Sequence, residues 1–274
     1  MVKIEHSVFA LPFAMIGMMW GAKGWPGWWT FSWIVVAMVS CRSASMAFNR
    51  ILDRDVDALN ERTKMRALPA GIVQLRVANL FFIVCCGVFV LAAAMLNRLA
   101  LELSPVALVV TLGYSSTKRF TPLCHFVLGL SLGIAPAAAW IAVTGRLDWA
   151  IGWITAAVTF WTAGFDIIYA LPDEPFDREH GLRSLPQTLG PARALTVSRL
   201  CHVAAVLCLA VGGLLAGAGP VYHIGVVCAA CLLAYEQSLV KVDDLSNVGV
   251  AFFNVNGYMS VGLFCFALVD RFVR

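Results

Sequence analysis

Residues Trp149 to Asp177 read WAIGWITAAVTFWTAGFDIIYALPDEPFD. No charge interrupts the run before Asp166, and about 20 apolar residues suffice for a helix to cross the hydrocarbon core of a bilayer. The charges that follow are patterned. Asp166, Tyr169, Asp173 and Asp177 are spaced three, four and four apart. At about 100° per residue that spacing makes one stripe of a helix. Pro172 and Pro175 predict that the helix bends or unwinds near its end, because proline has no N–H to give. An apolar span thus delivers a row of acids to one end of itself.

The rest of the chain repeats this design. Of its 274 residues 60% are hydrophobic and 13% charged, with a mean hydropathy of +0.81. A soluble domain carries roughly 25% charged residues, so the solvent of this chain is largely lipid. Only helices and closed barrels satisfy every backbone group there. Unbroken apolar runs predict nine helices, at roughly 6–22, 30–50, 73–96, 100–117, 122–143, 149–171, 192–216, 221–239 and 249–270. Breaks fall at turn-prone or charged positions such as Gly24-Trp25-Pro26-Gly27, Arg98, Gly145-Arg146 and Gly219-Pro220. Ser104-Pro105 interrupts the start of the fourth. The class is all-α, a polytopic membrane protein. The net charge of +4 does not suggest nucleic acid, and Val8 to Gly21 is followed by no cleavage pattern of a secretory signal. Nine cysteines, including Cys85-Cys86 and Cys228-Ala-Ala-Cys231, sit in apolar helical stretches and read as packing residues.

Loop charges give the orientation. With the N-terminus cytoplasmic, that side holds thirteen basic residues, Lys3, Arg50, Arg54, Arg62, Lys64 and Arg76 among them. The other side holds five: Lys23, Arg98, Arg146, Arg271 and Arg274. This is the positive-inside bias of a plasma-membrane protein, with the acid rows towards the cytoplasm. The two charge-dense cytoplasmic loops also resemble each other. Asp53-x-x-x-Asp57 precedes Arg66-Ala-Leu-Pro, and Asp173-x-x-x-Asp177 precedes Arg183-Ser-Leu-Pro. The acid pairs are 120 residues apart and the arginines 117. Each motif follows an even-numbered helix, so the repeat is parallel with a period of four helices. It covers about 1–120 and 121–240 of one domain, with a last helix at about 249–270. Repeats in membrane folds tend to place their site between the repeated units.

On the second helix Arg42, Asn49, Asp53 and Asp57 are spaced seven, four and four apart, again one face. An aspartate costs roughly 2.5–3.5 kcal/mol at the centre of a membrane helix and less near the interface. Acids placed there in two matching rows point to a ligand. Asp pairs without histidine or cysteine suit a hard cation such as Mg²⁺, which takes one or two carboxylates and fills its shell with water and phosphate. Arg66, Lys118, Arg119 and Arg183 supply positive charge for the same phosphates. Together they predict a diphosphate head on a lipid tail. Asp55, Glu61, Glu174 and Glu179 read as a solvated face, while Arg42 lies deeper than the loops. His6, His125, His202 and His223 form no ligand spacing and read as packing or interface residues. A cation-coupled transporter would also use intramembrane acids, but near the midplane and without a ring of arginines.

The stretch Asn49-Arg-Ile-Leu-Asp53-Arg-Asp-Val-Asp57 resembles the first aspartate-rich motif of the UbiA prenyltransferases, and Asp166-Ile-Ile-Tyr169-Ala-Leu-Pro-Asp173-Glu-Pro-Phe-Asp177 resembles the second. Tyr114-Ser-Ser-Thr-Lys118-Arg119, Tyr235-Glu-Gln-Ser-Leu-Val and Asn254-Val-Asn-Gly are similar to further elements of that family. Arg50 stands where the family usually has aspartate, and Gly181-Leu-Arg183-Ser184 where many members have Lys-Ser. With the segment Lys3-Ile-Glu-His-Ser-Val-Phe-Ala-Leu-Pro-Phe, these look like the branch labelled 4-hydroxybenzoate polyprenyltransferase, and like its relatives associated with menaquinone synthesis by the futalosine route. The resemblance implies an enzyme that transfers a polyprenyl group from its diphosphate to an aromatic acid in quinone synthesis. It implies two Mg²⁺ ions held by Asp53, Asp57, Asp173 and Asp177, with Asn49 in support. Arg66, Lys118, Arg119 and Arg183 would meet the diphosphate. Arg42 would meet the aromatic carboxylate, and Asp166 and Tyr169 would position the ring or the diphosphate. The acceptor is expected to be a hydroxybenzoate, with a dihydroxynaphthoate as the alternative, and no protein partner is indicated.

Overall fold

The apolar runs fold as helices in a computed structural model that describes residues 7–61 and 63–273. Lys3, His6, Arg62, Arg274 and the segment beginning at Lys3 therefore lie outside the described residues, apart from that segment's last part. Nine helices of 16 or more residues occur among the described residues: α1 (Ser7–Ala22), α2 (Trp28–Leu52), α3 (Leu75–Leu96), α4 (Arg98–Thr117), α5 (Cys124–Thr144), α6 (Trp149–Ala170), α7 (Pro191–Leu215), α8 (Pro220–Leu239) and α9 (Asn256–Val273). No strand is present among these residues beyond an isolated bridge between Lys241 and Asp244. The chain is an all-helical integral membrane protein. Seven stretches, α2 to α5, Trp149–Glu179, α7 and Val248–Val273, are long and apolar enough to cross a bilayer. The other two of the nine spans expected, α1 and α8, fall short by these measures. α1 has 16 residues, and α8 ends in the polar run Tyr235 to Ser238.

Pro105 does not break α4. Its ring leaves the carbonyl of Leu101 without the usual i→i−4 donor, and the Ser104 hydroxyl fills that place at 2.8 Å. After α6 the prolines act as expected. α6 ends at Ala170, passes through a tight turn at Leu171–Asp173, and a short helix Glu174–Glu179 follows. α2, with no proline there, also stops at Leu52 and restarts as Arg54–Leu59, so Asp53 and Asp57 lie beyond the second helix rather than on it as expected.

Neighbours in sequence pack as neighbours in space, and α1 bridges α5 and α9 to close the bundle. α6 lies at its centre. Of its most apolar window 61% is buried, against 22% in α3 and 17% in α4, whose apolar side chains face outward to lipid. The largest core cluster gathers Phe9 and Phe13 of α1 with Trp161 and Phe165 of α6 and with Phe252. α5 meets α6 backbone to backbone because Gly129 and Gly133 leave room. A Cβ on Gly129 would collide with the carbonyl oxygen of Thr159, and one on Gly133 with Thr159 Oγ1. Exposed Trp28, Trp29, Trp149 and Trp153 mark the starts of α2 and α6, where an interfacial aromatic belt belongs. The acid rows lie at the other ends of these two helices. All nine cysteines are free, and Cys228 and Cys231 face outward rather than into the packing, a correction to their expected place. Their short, weakly polar thiols are tolerated against lipid.

Candidate active site

The ends of α2 and α6 and the segments after them enclose a cavity of about 880 Å³. Arg42, Asn49, Asp53, Asp57, Arg66, Lys118, Arg119, Asp166, Tyr169, Asp173 and Asp177 all line it. Residues more than a hundred positions apart thus share one wall, as the matching motifs predict.

Every acid of the motifs has its own environment. At Asp57, 7% exposed, both carboxylate oxygens accept from Arg66 Nη1, at 2.7 and 2.8 Å, and Arg50 Nη1 lies 3.8 Å away. Asp53 accepts from Asn49 Nδ2 at 2.9 Å and Arg119 Nη2 at 3.3 Å, and Arg119 also donates to the Leu52 carbonyl. Burial pushes the Asp53 carboxyl above its ordinary range, an effect partly offset by the Arg119 hydrogen bond. Asp177 is fully buried, and its Oδ1 lies 2.7 Å from Lys118 Nζ. Asp173 is half-buried on the same wall.

Arg183 departs from expectation. It is exposed and does not line the cavity; its Nη1 donates to the Phe120 carbonyl at 3.0 Å and its backbone N–H to the Lys118 carbonyl at 2.7 Å. The second loop is three residues shorter between acid and arginine than the first, six against nine. Arg183 therefore does not reach Asp177 as Arg66 reaches Asp57, and Lys118 occupies that place.

Deeper in, the cavity turns apolar and aromatic. Phe9, Leu132, Phe165 and Phe252 line it, and Tyr169 stacks on Phe252 at 4.2 Å between ring centroids. Phe252 sits in a widened helical turn, Ala251–Val255, whose carbonyls at 251 and 252 accept from Asn256 Nδ2. Arg42 projects here from α2. Its Nε is buried without a hydrogen-bond partner, and no carboxylate forms an ion pair with it among the described residues. The side chain as a whole is half-buried, but a sealed N–H without an acceptor is costly, and such a group awaits an anion. A second, smaller cavity of about 150 Å³ shares Arg42 and Leu132 with the first and is otherwise nearly all apolar, between α2, α3, α4 and α5.

His125, read from the sequence as a packing or interface residue, instead faces the cavity. It is buried at the start of α5, and its Nδ1 lies 2.7 Å from Asp166 Oδ2. No local pattern marks it. The contact arises from the close α5–α6 seam at Gly129 and Gly133. Arg50 is likewise part of the wall, because it faces Asp57 across the break at Asp53, seven residues earlier.

The donor set suits a hard cation. All its acids are carboxylates, Asn49 adds a carboxamide, and no group of three or more His, Cys, Asp or Glu is gathered into a closed cage among the described residues. Mg²⁺ asks for no more than one or two protein carboxylates, with water and phosphate completing its shell.

The model of the UbiA prenyltransferase family matches residues 10–258. The 4-hydroxybenzoate octaprenyltransferase of Shewanella halifaxensis is 30% identical over 88% of this chain and 84% of that protein. Its namesake from Nitrosospira multiformis is 31% identical over 94% and 88%. Among solved structures, the apo UbiA homolog from Aeropyrum pernix K1 superposes with a TM-score of 0.90 at 34% identity, covering 98% of this chain and 99% of that one. A UbiA homolog from Archaeoglobus fulgidus bound to DMAPP and Mg²⁺ shares the fold, with a TM-score of 0.75 at 21% identity over 98% and 96%.

Proposed function

Because the chain belongs to the UbiA prenyltransferase family, we propose that it transfers a polyprenyl group from polyprenyl diphosphate to an aromatic carboxylic acid of the 4-hydroxybenzoate type, in respiratory quinone synthesis. One observation carries the choice of an acid acceptor. Arg42 is half-buried with its Nε sealed from solvent and unpartnered, and no carboxylate pairs with it among the described residues, in the same cavity as the paired motif acids. The names of the Shewanella and Nitrosospira relatives point to the same acceptor class.

In this reading Asp53, Asp57, Asp173 and Asp177, with Asn49, hold two Mg²⁺ ions, and the metal-bound state of the Archaeoglobus homolog supports a divalent cation. When bound, Mg²⁺ offsets the charge that develops on the departing diphosphate. Arg66, Lys118 and Arg119 are paired with the motif acids in the structure. Their guanidinium and ammonium groups turn to diphosphate oxygens, where charge-assisted hydrogen bonds aimed at the leaving group lower the barrier. Arg183 serves to anchor its loop rather than to bind phosphate. As the C–O bond breaks, the bonding pair leaves with the diphosphate and an allylic cation remains. Phe9, Tyr169, Phe165 and Phe252 exclude water from that cation and offer π faces to it. Arg42 holds the acceptor carboxylate, Asp166 and Tyr169 orient the ring, the ring carbon attacks the cation, and a proton is lost. The apolar cavity beyond Arg42 and Leu132 suits isoprene units.

The same reading takes the chain as two four-helix repeats plus one helix, with α1 and α8 also crossing the plasma membrane and the acid end facing the cytoplasm. The test is a competition. Purified protein in lipid, with Mg²⁺ and radiolabelled polyprenyl diphosphate, is offered 4-hydroxybenzoate together with 1,4-dihydroxy-2-naphthoate and 1,4-dihydroxy-6-naphthoate. Prenylated hydroxybenzoate is expected. A prenylated naphthoate would keep the chemistry and move the chain to menaquinone synthesis, and no product with any acid would overturn the proposal.

A further inference from the structure

One chain of polar contacts runs from the phosphate side of the cavity to its acceptor side, and His125 is its last link. The chain starts at Lys118, whose ammonium meets Asp177 at 2.7 Å. The carbonyl of Lys118 accepts from Arg183 N–H at 2.7 Å. Two residues on, Leu185 N–H donates to His125 Nε2 at 3.2 Å. On its other side His125 Nδ1 meets Asp166 Oδ2 at 2.7 Å.

These contacts assign the ring. A backbone N–H only donates, so Nε2 must carry a lone pair, and the imidazole proton then sits on Nδ1 and is donated to Asp166. His125 thus orients one oxygen of a carboxylate that lines the cavity, with 22% of the Asp166 side chain exposed and only 2% of His125. The link is stiff. Leu185 packs in a buried cluster with Ala163 and Ile167 of α6 and Ala194 and Cys201 of α7. Ser184, fully buried, caps the short helix that follows by accepting from Gln187 N–H. A packed segment thus lies between Lys118 on the phosphate side and Asp166 on the cavity wall.

We propose that His125 is a positioning residue: it fixes the Asp166 carboxylate against the aromatic acceptor and ties it to the Arg183–Pro186 segment, so that polyprenyl diphosphate and aromatic acid bind cooperatively. This rests on the acceptor assignment made above. Each bond of the ring can be removed by itself. In His125→Asn the amide can still donate to Asp166 but is too short to reach Leu185. In His125→Phe both bonds are lost while the ring volume stays.

The experiment measures 4-hydroxybenzoate affinity by titration in lipid nanodiscs, with Mg²⁺, in the presence and absence of an unreactive geranyl thiodiphosphate. In the wild type the analogue is expected to tighten acceptor binding about fivefold or more, the low end of ordinary coupling. Both variants are expected to bring that factor to about one. In steady state His125→Phe should raise the acceptor KM more than the donor KM, and His125→Asn should recover part of that loss. A coupling factor equal in all three proteins, or absent from the wild type, overturns the inference and leaves the proposed reaction standing. A wild type that neither binds nor prenylates any aromatic acid removes the reaction, and the inference falls with it.

Discussion

Lys118, and not Arg183, is the cation that meets Asp177: its Nζ lies 2.7 Å from Oδ1, while Arg183 turns its guanidinium to the carbonyl of Phe120. The repeat in the sequence sets Asp177 and Arg183 in the places of Asp57 and Arg66. The shorter second loop breaks that analogy, and a residue from the end of the first repeat crosses over to complete the second.

Removing Lys118 leaves a fully buried carboxylate without its counter-charge. Losing one partner of such a pair costs about 3–5 kcal/mol, so Lys118→Met is expected to unfold at distinctly lower temperature in detergent and to lose most transfer activity. Arg183→Ala should be milder in both respects. The double variant Lys118→Met with Asp177→Asn should regain stability but not activity. Intrinsic tryptophan fluorescence on heating and a transfer assay decide; an Arg183→Ala protein more impaired than Lys118→Met would reverse the assignment.

Asp53→Ala and Asp173→Ala are each expected to lower turnover by at least about 10²-fold, the scale of losing one group that stabilises developing charge, while both proteins stay folded in detergent. Chelation of divalent ions should silence the wild type to the same degree, and added Mg²⁺ should restore it. Full activity in either variant would remove the metal-bridge reading.

Arg42→Ala should raise the KM for the aromatic acid by about ten- to a hundredfold, the equivalent of a charged hydrogen bond worth about 1.5–3 kcal/mol, with a smaller effect on the diphosphate KM. The reverse pattern in initial-rate kinetics would sink the carboxylate role.

Glu236 is sealed from solvent in α8. Its Oε1 accepts from Asn256 Nδ2 at 2.9 Å, and its Oε2 has no partner. Asn256 in turn accepts from Trp161 Nε1 at 2.6 Å and holds the widened turn that carries Phe252. Glutamine keeps the acceptor oxygen and cannot ionise, so Glu236→Gln should melt at the same or a higher temperature. Asn256→Ala removes a side chain that bonds four groups and should melt lower by the cost of at least one buried unmet polar group, about 1–3 kcal/mol. A Glu236→Gln protein that melts well below the wild type would show that the carboxylate itself is needed.

Much of this molecule is local, and local features were legible. Helix ends fell within a few residues of the apolar runs, because the length of an apolar run and the turn residues at its ends are properties of neighbours in sequence. The rows from Arg42 to Asp57 and from Asp166 to Asp177 were readable from their spacing, although the helices that carry them break at Asp53 and at Leu171–Asp173. Even the unwinding after α6 was announced by Pro172 and Pro175.

What the sequence could not decide is which charge answers which. The His125–Asp166 contact joins residues 41 apart, and the Leu185–His125 bond residues 60 apart. Neither leaves a periodic trace. They exist because Gly129 and Gly133 let α5 lie against the backbone of α6, and because a loop three residues shorter turns one arginine outward. The apolar pattern of the chain determined that helices would span lipid and carry acids to one end. Only the tertiary packing decided how those acids are paired, because distance between side chains on different helices is set by how closely the backbones approach and by nothing within a single helix.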